Sequence, residues 1–576
     1  MRLSVKDTGA ARHFYIIKST YLNKKRSTKI VEKIGTEEEL RQRFPGRDPM
    51  EVALDRLEEL NQLEDENKHE VMPKFSNAKL IPKEECRSVK GGYLFLQKIY
   101  HQLSLHKLCQ DISADYRFDF DLSDILSRLL YTRILEPGSK RYAWEEAQNY
   151  VEAPSFELHD VYRALEVLAK ENDRIQEHVY KASRKLIRRN DKILFYDCTN
   201  YFFEIEEAEG VKQFGHAKDH KPNPLVQMGL FLDGSGFPLA FSLHPGNTSE
   251  QITLRPLEER ILKDFDLSQF IVCTDAGLSS AENRRFNNRG NRAFITTQPL
   301  KKLKDYLQTW ALDTEGWELP GQKRTFSLKD IDEEDPKELQ RVYYKSRWIK
   351  EGGLEQKLVV SFSVKYKKYL KALRAQQILR AEKKLVMPSG LHHKRPNDPR
   401  RFIKGLAVTP EGELADKTLY ILDEATIAED ARYDGFYAVC TNLEDEPSEI
   451  LAVNKQRWQI EEAFRTLKSE FQARPVYLQR DERILAHFMT CFLALLLFKI
   501  LKQKLKEQMP EGKVTTTSLI QELKAMNFFL LEHEGYIPTY TRTDLTDALH
   551  KAFGFRTDYQ ILLNNDMKKV IKSTKI

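Results

Sequence analysis

Apolar and polar positions recur with different periods along this chain of 576 residues, and the changes of period divide it. In the first 75 residues, His13–Lys18 and Thr28–Ile34 read as short strands around the basic turn Asn23-Lys24-Lys25-Arg26, and Pro49–Glu66 as a charged amphipathic helix. From 76 to 190 apolar residues return every three or four positions, which predicts helices over Leu122–Arg133, Ala143–Tyr150 and Leu158–Leu168. Within the last of these, residues 160–165 suit either a helix-turn-helix or an ordinary bundle helix. At 191 the period switches. Lys192–Thr199, Leu225–Leu232, Pro238–Leu243, Gln269–Thr274 and Arg292–Thr296 predict strands, with turns such as Asp233-Gly234-Ser235-Gly236 between them. Residues 301–435 leave this pattern for long charged stretches. A strand at Gly435–Cys440, a helix from about Pro447 to Phe471, very apolar helices over 483–505 and a polar helical tail over 506–576 follow. The expected architecture is an α/β core in two parts, 191–300 and 436–505, interrupted by an insertion at 301–435. A mixed unit (1–75) and a helical region (76–190) precede it, and the helical tail (506–576) closes the chain.

Composition narrows the class. With 41% hydrophobic and 31% charged residues the chain is apolar enough for several cores and too apolar for general disorder. The net charge of +6 is mild, but Lys365–Lys404 carries thirteen Lys and Arg against two acids. That run is either a solvated basic face or a contact for the DNA backbone, the latter preferred. Six cysteines without a CxxC pair exclude a disulfide scaffold, disfavour a zinc finger and fit a reduced cytosol. The start, MRLSVKDTGAARHF, lacks the apolar segment of a secretory signal. Ile484–Phe498 is apolar but only 15 residues long, whereas a membrane span needs about 20, so a buried helix is expected. No GxxxxGK[ST], GxGxxG or HExxH is present, and Gly234-Ser235-Gly236 lacks a third glycine. P-loop hydrolysis and dinucleotide chemistry are therefore disfavoured.

Three acidic positions carry the chemistry. Asp197 ends the apolar run Lys192–Tyr196, and Asp275 ends Phe270–Thr274 in the same way. A carboxylate at the end of a buried strand is costly unless it caps the next turn or a cation neutralises it, and both readings of Asp197 stand. Two such ends on one sheet would converge at its carboxyl edge, where open α/β sheets place their sites. The third is Glu461. Arg457, Glu461, Arg465 and Lys468 lie at i, i+4, i+8 and i+11 and share a helix face, beside an apolar stripe of Ile460, Phe464, Leu467 and Phe471. This face is either a solvated ion-pair ladder or a carboxylate flanked by phosphate-holding cations. Asp197, Asp275 and Glu461 together would supply hard oxygen ligands for two Mg²⁺ or Mn²⁺ ions, suited to in-line attack on phosphorus.

These residues resemble the DDE transposases of the IS4 superfamily, most closely the IS1634-type group. The family motif Tyr-x2-Arg-x3-Glu-x6-Lys is matched by Arg457, Glu461 and Lys468, with Asn454 standing at the tyrosine position. Tyr196-Asp197-Cys198-Thr199-Asn200 with Tyr201–Glu204, the segments 215–222 and 245–249, Thr274-Asp275-Ala276-Gly277, Ala473–Tyr477 and Ile484–Phe488 match further signatures. The likeness covers about 190–500 and the first 190 residues only in general layout. It implies a ribonuclease H-like core, a mostly β insertion between the second Asp and the Glu, and a grip of that insertion on the transposon end. Trp310, Trp317 and Trp348 are candidates there for stacking on a flipped base, or else core residues.

The expected function is thus a cytoplasmic, nucleoid-associated cut-and-paste transposase of a bacterial insertion sequence. The N-terminal units would bind terminal inverted repeats. Asp197, Asp275 and Glu461 would be both catalytic and metal-binding, and cleavage would proceed through a hairpin before the 3′-OH joins target DNA. Arg457, Lys468, Arg465, Lys218 and Lys221 would contact DNA. His216 and His220 are read as a loop rather than a zinc pair. A homodimer in the synaptic complex and no membrane partner are expected. The rivals are a metal-dependent nuclease without strand transfer and a non-catalytic DNA-binding relic.

Overall fold

The computed structural model describes the chain except residues 10, 23–24, 67–75, 217–220, 323, 386–397, 409–413, 513 and 532–533, and it divides into two compact units, Met1–Glu85 and Cys86–Ile576. In the first unit β1 (Arg2–Asp7), β2 (Arg12–Leu22) and β3 (Lys25–Thr36) form an antiparallel sheet. β1 had no strand signal strong enough to be expected. Thr36 ends β3 and caps α1 (Glu37–Arg43): its hydroxyl accepts from Glu39 N while Glu39 Oε2 accepts from Thr36 N at 2.8 Å. α2 spans Pro49–Glu66, the ends its amphipathic pattern implies. Phe14, Leu40, Val52 and Ala53 make the small core, with Leu3 and Ile34 packed against it.

The second unit begins with β4 (Ser88–Lys90) and six helices: α3 (Tyr93–Gln102), α4 (Leu105–Asp115), α5 (Leu122–Leu135), α6 (Lys140–Ala147), α7 (Leu158–Lys170) and α8 (Asn172–Leu186). The sheet follows: β5 (Ile193–Phe202), β6 (Leu225–Asp233), β7 (Pro238–Pro245), α9 (Glu250–Asp264), β8 (Ile271–Thr274), α10 (Ala281–Phe286) and β9 (Ala293–Thr297). β5 is antiparallel to β6, and β6 to β7; β8 is parallel to both β5 and β9.

The insertion carries α11 (Asp305–Leu312), β10 (Tyr343–Glu351), β11 (Leu354–Phe362), α12 (Val364–Leu385), β12 (Ile403–Val408), β13 (Leu414–Leu422) and α13 (Glu424–Ala431). Its β10–β11 hairpin joins the main sheet through β14 (Phe436–Thr441), giving the order β10-β11-β14-β9-β8-β5-β6-β7. This corrects the expectation of a mostly β insertion: α12 alone is 22 residues long, and the two strands nearest the core extend the central sheet. Gly352 and Gly353, both with positive φ, form the two-residue turn that lets β10 and β11 pair.

α14 (Pro447–Lys455), α15 (Trp458–Arg465) and a π-helical turn (Thr466–Glu470) replace the single helix expected over 447–471. α16 (Asp481–Gln508) is the apolar helix. Its most apolar 18-residue window is 89% buried within the protein, against α3, α5, α7 and β7, so it is the shared core of sheet and helical region. Phe492 meets Phe241 of β7 and Phe488 meets Tyr201 of β5, at 5.2 and 4.8 Å between rings. The tail is mixed rather than helical. α17 (Thr516–Ala525), β15 (Asn527–Leu531), β16 (Gly535–Pro538), α18 (Asp544–Phe553), β17 (Leu562–Leu563) and α19 (Asn564–Thr574) return to the helical region, where β15 pairs with β4. Gly91 and Gly92 permit this contact: a Cβ at either would sit 2.1 Å from the Phe528 ring or 1.9 Å from Leu523 O.

Candidate active site at the ends of two parallel strands

β5 and β8 run parallel with Phe195 opposite Cys273; Asp197 lies two residues further along β5, and Asp275 directly follows the last residue of β8. Both are half-buried. Asp197 Oδ1 accepts from Cys198 N at 2.7 Å. Asp275 Oδ1 accepts from Gly277 N and Leu278 N at 3.0 and 3.2 Å, so the turn-capping role weighed for Asp197 is performed by Asp275. Glu250, at the start of α9, reaches the same turn. A Cβ on Gly277 would lie 3.3 Å from Asp275 Oδ1 and 3.5 Å from Glu250 Oε2. No period or motif in the sequence singles out Glu250. Burial, with the charges of Asp197 and Glu250, pushes the Cys198 thiol up to about 12, and burial does the same to Cys273. Burial thus disfavours the thiolate at both positions.

The helix carrying Glu461 is placed by its other faces. Ile460, Ala463 and Phe464 are buried, and α15 packs on β5. Glu462 pairs with Lys499 and Lys502 of α16 at 3.3 and 3.7 Å. Gln459 sits on the β6–β7 turn, where a Cβ at Gly236 would meet its Oε1 at 2.1 Å. The Gly-Ser-Gly turn is therefore the seat of this helix. What remains outward is Trp458, Glu461 and Arg465, at i, i+3 and i+7. Glu461 makes no hydrogen bond or ion pair among the described residues. Likewise, no three His, Cys, Asp or Glu side chains among them are gathered closely enough to hold one ion, so Glu461 is not brought to the aspartate pair here.

Cations line the continuation of β5 beyond Asp197. Lys468 Nζ lies 5.6 Å from the Tyr201 ring centre, and Lys221 Nζ and the Arg474 guanidinium lie 4.5 and 4.6 Å from that of Phe202. Arg474 was read only as part of a signature, not as a contact. Lys218 and His220 lie outside the described residues, and His216 is held by Asn200, whose Nδ2 donates to its carbonyl at 2.6 Å. Gly215 and Gly246 press backbone to backbone: a Cβ on Gly215 would fall 1.8 Å from Gly246 O.

Arg457 stands in the break between α14 and α15, its Nη1 donating to Thr297 Oγ1 at 3.1 Å. Asn454 is buried and donates from Nδ2 to the hydroxyl of Tyr437 at 2.9 Å. In the insertion, Trp317 is buried and donates to Asp313 O, and Trp310 lies under Lys345 and Arg347. Trp348 is 44% exposed. Trp458, beside Glu461 and 55% exposed, was not among the stacking candidates. The basic run is partly neutralised from outside itself: Lys367, Lys368 and Arg374 of α12 pair with Glu333, Glu334 and Asp434.

Residues 360–497 match the family model described as "Transposase DDE domain", about a quarter of the chain. The matched stretch includes Arg457, Glu461, Arg465 and Lys468 but neither aspartate. Among solved structures the chain is similar to a piggyBac transposase in a synaptic complex with hairpin DNA. The identity is 9% and the TM-score 0.37, over 86% of this chain and 87% of that one. No curated protein matches.

Proposed function

We propose that this chain is a metal-dependent cut-and-paste DNA transposase of the IS4 superfamily, IS1634-type, with Asp197, Asp275 and Glu461 as its acidic residues. One observation carries the reading: two carboxylates, one on β5 and one directly after the parallel β8, beside a helix that falls inside the DDE-domain match. The order β7-β6-β5-β8-β9, three antiparallel strands followed by two parallel ones, supports a ribonuclease H-like core.

The all-carboxylate donor set fits Mg²⁺ or Mn²⁺, and Asp197, Asp275 and Glu461 would hold two such ions. Bound metal would supply Lewis-acid stabilisation and an activated nucleophile. The protein's own groups do the rest. Asp275 is fixed in direction by its two backbone N–H donors. Arg457 and Lys468 hold phosphates, with Arg465, Lys221 and Arg474 extending the cationic track along the DNA; Lys218, outside the described residues, is a further DNA contact on its sequence alone. The helical region and the first unit bind terminal inverted repeats, and two copies synapse two ends. The enzyme works in the bacterial cytoplasm on nucleoid DNA, cutting through a hairpin intermediate and joining 3′-OH ends to target.

The test is cleavage and joining of the DNA flanking its own gene by purified protein, with Mg²⁺, Mn²⁺ or EDTA. Metal-dependent cutting at a fixed end, with joining, and loss of both in Glu461→Ala establish the reading. Cutting without end specificity or joining replaces it with a nuclease. End binding without cutting, unchanged in Glu461→Ala, leaves a non-catalytic binder.

A further inference from the structure

Thr297 holds a particular place on the sheet. β8 and β9 are parallel with Thr274 opposite Thr296; Thr297 is the next residue of β9, and Asp275 directly follows Thr274. β5, the residue that follows β8, and β9 therefore bring Asp197, Asp275 and Thr297 to one edge of the sheet. Thr297 Oγ1 is the hydrogen-bond acceptor that holds Arg457 among the described residues; Arg457 Nε is buried without a partner. A guanidinium has five N–H donors. With one of them engaged, its direction is set by where that one acceptor is.

The acceptor is itself held from behind. The Tyr437 hydroxyl lies 2.7 Å from Thr297 Oγ1, and Asn454 Nδ2 donates to the Tyr437 oxygen at 2.9 Å. Tyr437 comes from β14 and Asn454 from α14, whose next turn delivers Arg457. Either hydroxyl can donate in the Tyr437–Thr297 pair; the tyrosine is taken as donor, with the Asn454 amide donating to its oxygen from behind. With the tyrosine as donor, the threonine oxygen accepts from Tyr437 and Arg457 together. The chain Asn454–Tyr437–Thr297–Arg457 starts and ends on either side of the α14–α15 break and crosses two strands between.

We propose that Tyr437 is a positioning residue for phosphodiester cleavage, acting through Thr297 to aim Arg457 at the phosphate beside Asp275. This rests on the transposase reading above. Tyr437 touches no reacting atom. Its hydroxyl fixes the threonine acceptor, and its loss frees Arg457 to swing without removing any charge.

The experiment is a double-mutant cycle read as the rate of nicking of the flanking DNA, at saturating DNA with Mg²⁺. Tyr437→Phe removes one hydroxyl and slows nicking roughly tenfold, the equivalent of one well-placed hydrogen bond. In an Arg457→Ala background the same change costs less than about twofold. Thr297→Val behaves as Tyr437→Phe does, and Thr297→Ser, which keeps the hydroxyl, restores the rate. A merely structural tyrosine slows both backgrounds by the same factor, and that result overturns the proposal, as does an unchanged rate in the wild-type background. If wild-type protein does not cut, or Glu461→Ala cuts equally well, the transposase reading itself fails and takes this role with it. Metal-dependent cutting abolished in Glu461→Ala but indifferent to Tyr437→Phe rejects the positioning role alone.

Discussion

Gly236 and Gln459 meet closely: a Cβ on the glycine would lie 2.1 Å from Gln459 Oε1, and Gly236 has φ +82°. The glutamine can swing aside, but the backbone cannot relax its left-handed turn without cost. Gly236→Ala should destabilise the protein by about 1 kcal/mol and lower nicking further by shifting α15. Gly236→Asn, better tolerated at positive φ, should recover most of the thermal midpoint but not the rate. Melting curves beside nicking rates check both.

Adjacent glutamates should behave oppositely. Glu462 is tied to Lys499 and Lys502, and burial lowers the Lys499 ammonium below the usual lysine range. Glu462→Gln leaves that lysine poorly compensated and should cost about 2 kcal/mol of stability. Glu461, which has no partner among the described residues, should be replaceable by Gln with a change of less than about 0.5 kcal/mol, yet nicking should vanish. Denaturant titration of both variants separates the two effects.

Lys140 gives a pH signature. It is buried with its Nζ unpartnered, and burial, reinforced by the nearby Arg133 charge, lowers it to about 7. The unfolded chain keeps an ordinary lysine, so between about pH 7 and the usual lysine range it binds a proton that the folded chain lacks. The penalty is full below pH 7 and relieved as pH rises through that window. Lys140→Met should raise the thermal midpoint clearly at pH 6 and less at pH 9. An equal gain at both values would show that the ammonium is not the source.

Arg474 and Lys221 flank Phe202 at nearly equal distances. If both hold phosphates, Arg474→Ala and Lys221→Ala should each weaken DNA binding on any sequence and lower the slope of log affinity against log salt by about one. Binding measured at several salt concentrations, on end DNA and on unrelated DNA, tests this.

The strands of the core were legible because each is a short apolar run closed by a turn or an acid. Ile193–Phe202 and Leu225–Asp233 begin within a residue of their expected starts. The same rule failed for Tyr343–Glu351, whose outer half carries Lys, Ser, Arg and Glu because it is the edge of the sheet and faces water. The Gly352-Gly353 pair was the available signal. The break at Gln456-Arg457 was invisible because both residues favour helix; at the break Arg457 reaches Thr297, a tertiary contact. The placement of Asp197 and Asp275 at one sheet edge could be inferred from strand ends, whereas the link from Asn454 to Tyr437 needed the sheet order.

α16 has a consequence for synthesis. Its partners α3, α5 and α7 leave the ribosome first, and Glu166 of α7 meets Arg480, at the start of α16, across 314 residues of chain. Until residue 505 has emerged, the faces those helices turn toward it have nothing to bury against. Nascent chains therefore carry a long-lived adhesive surface, as slow-folding topologies of distant contacts do. Chains truncated before Asp481 should collect in inclusion bodies, while supplying the missing segment 481–576 in trans should rescue part of them into solution.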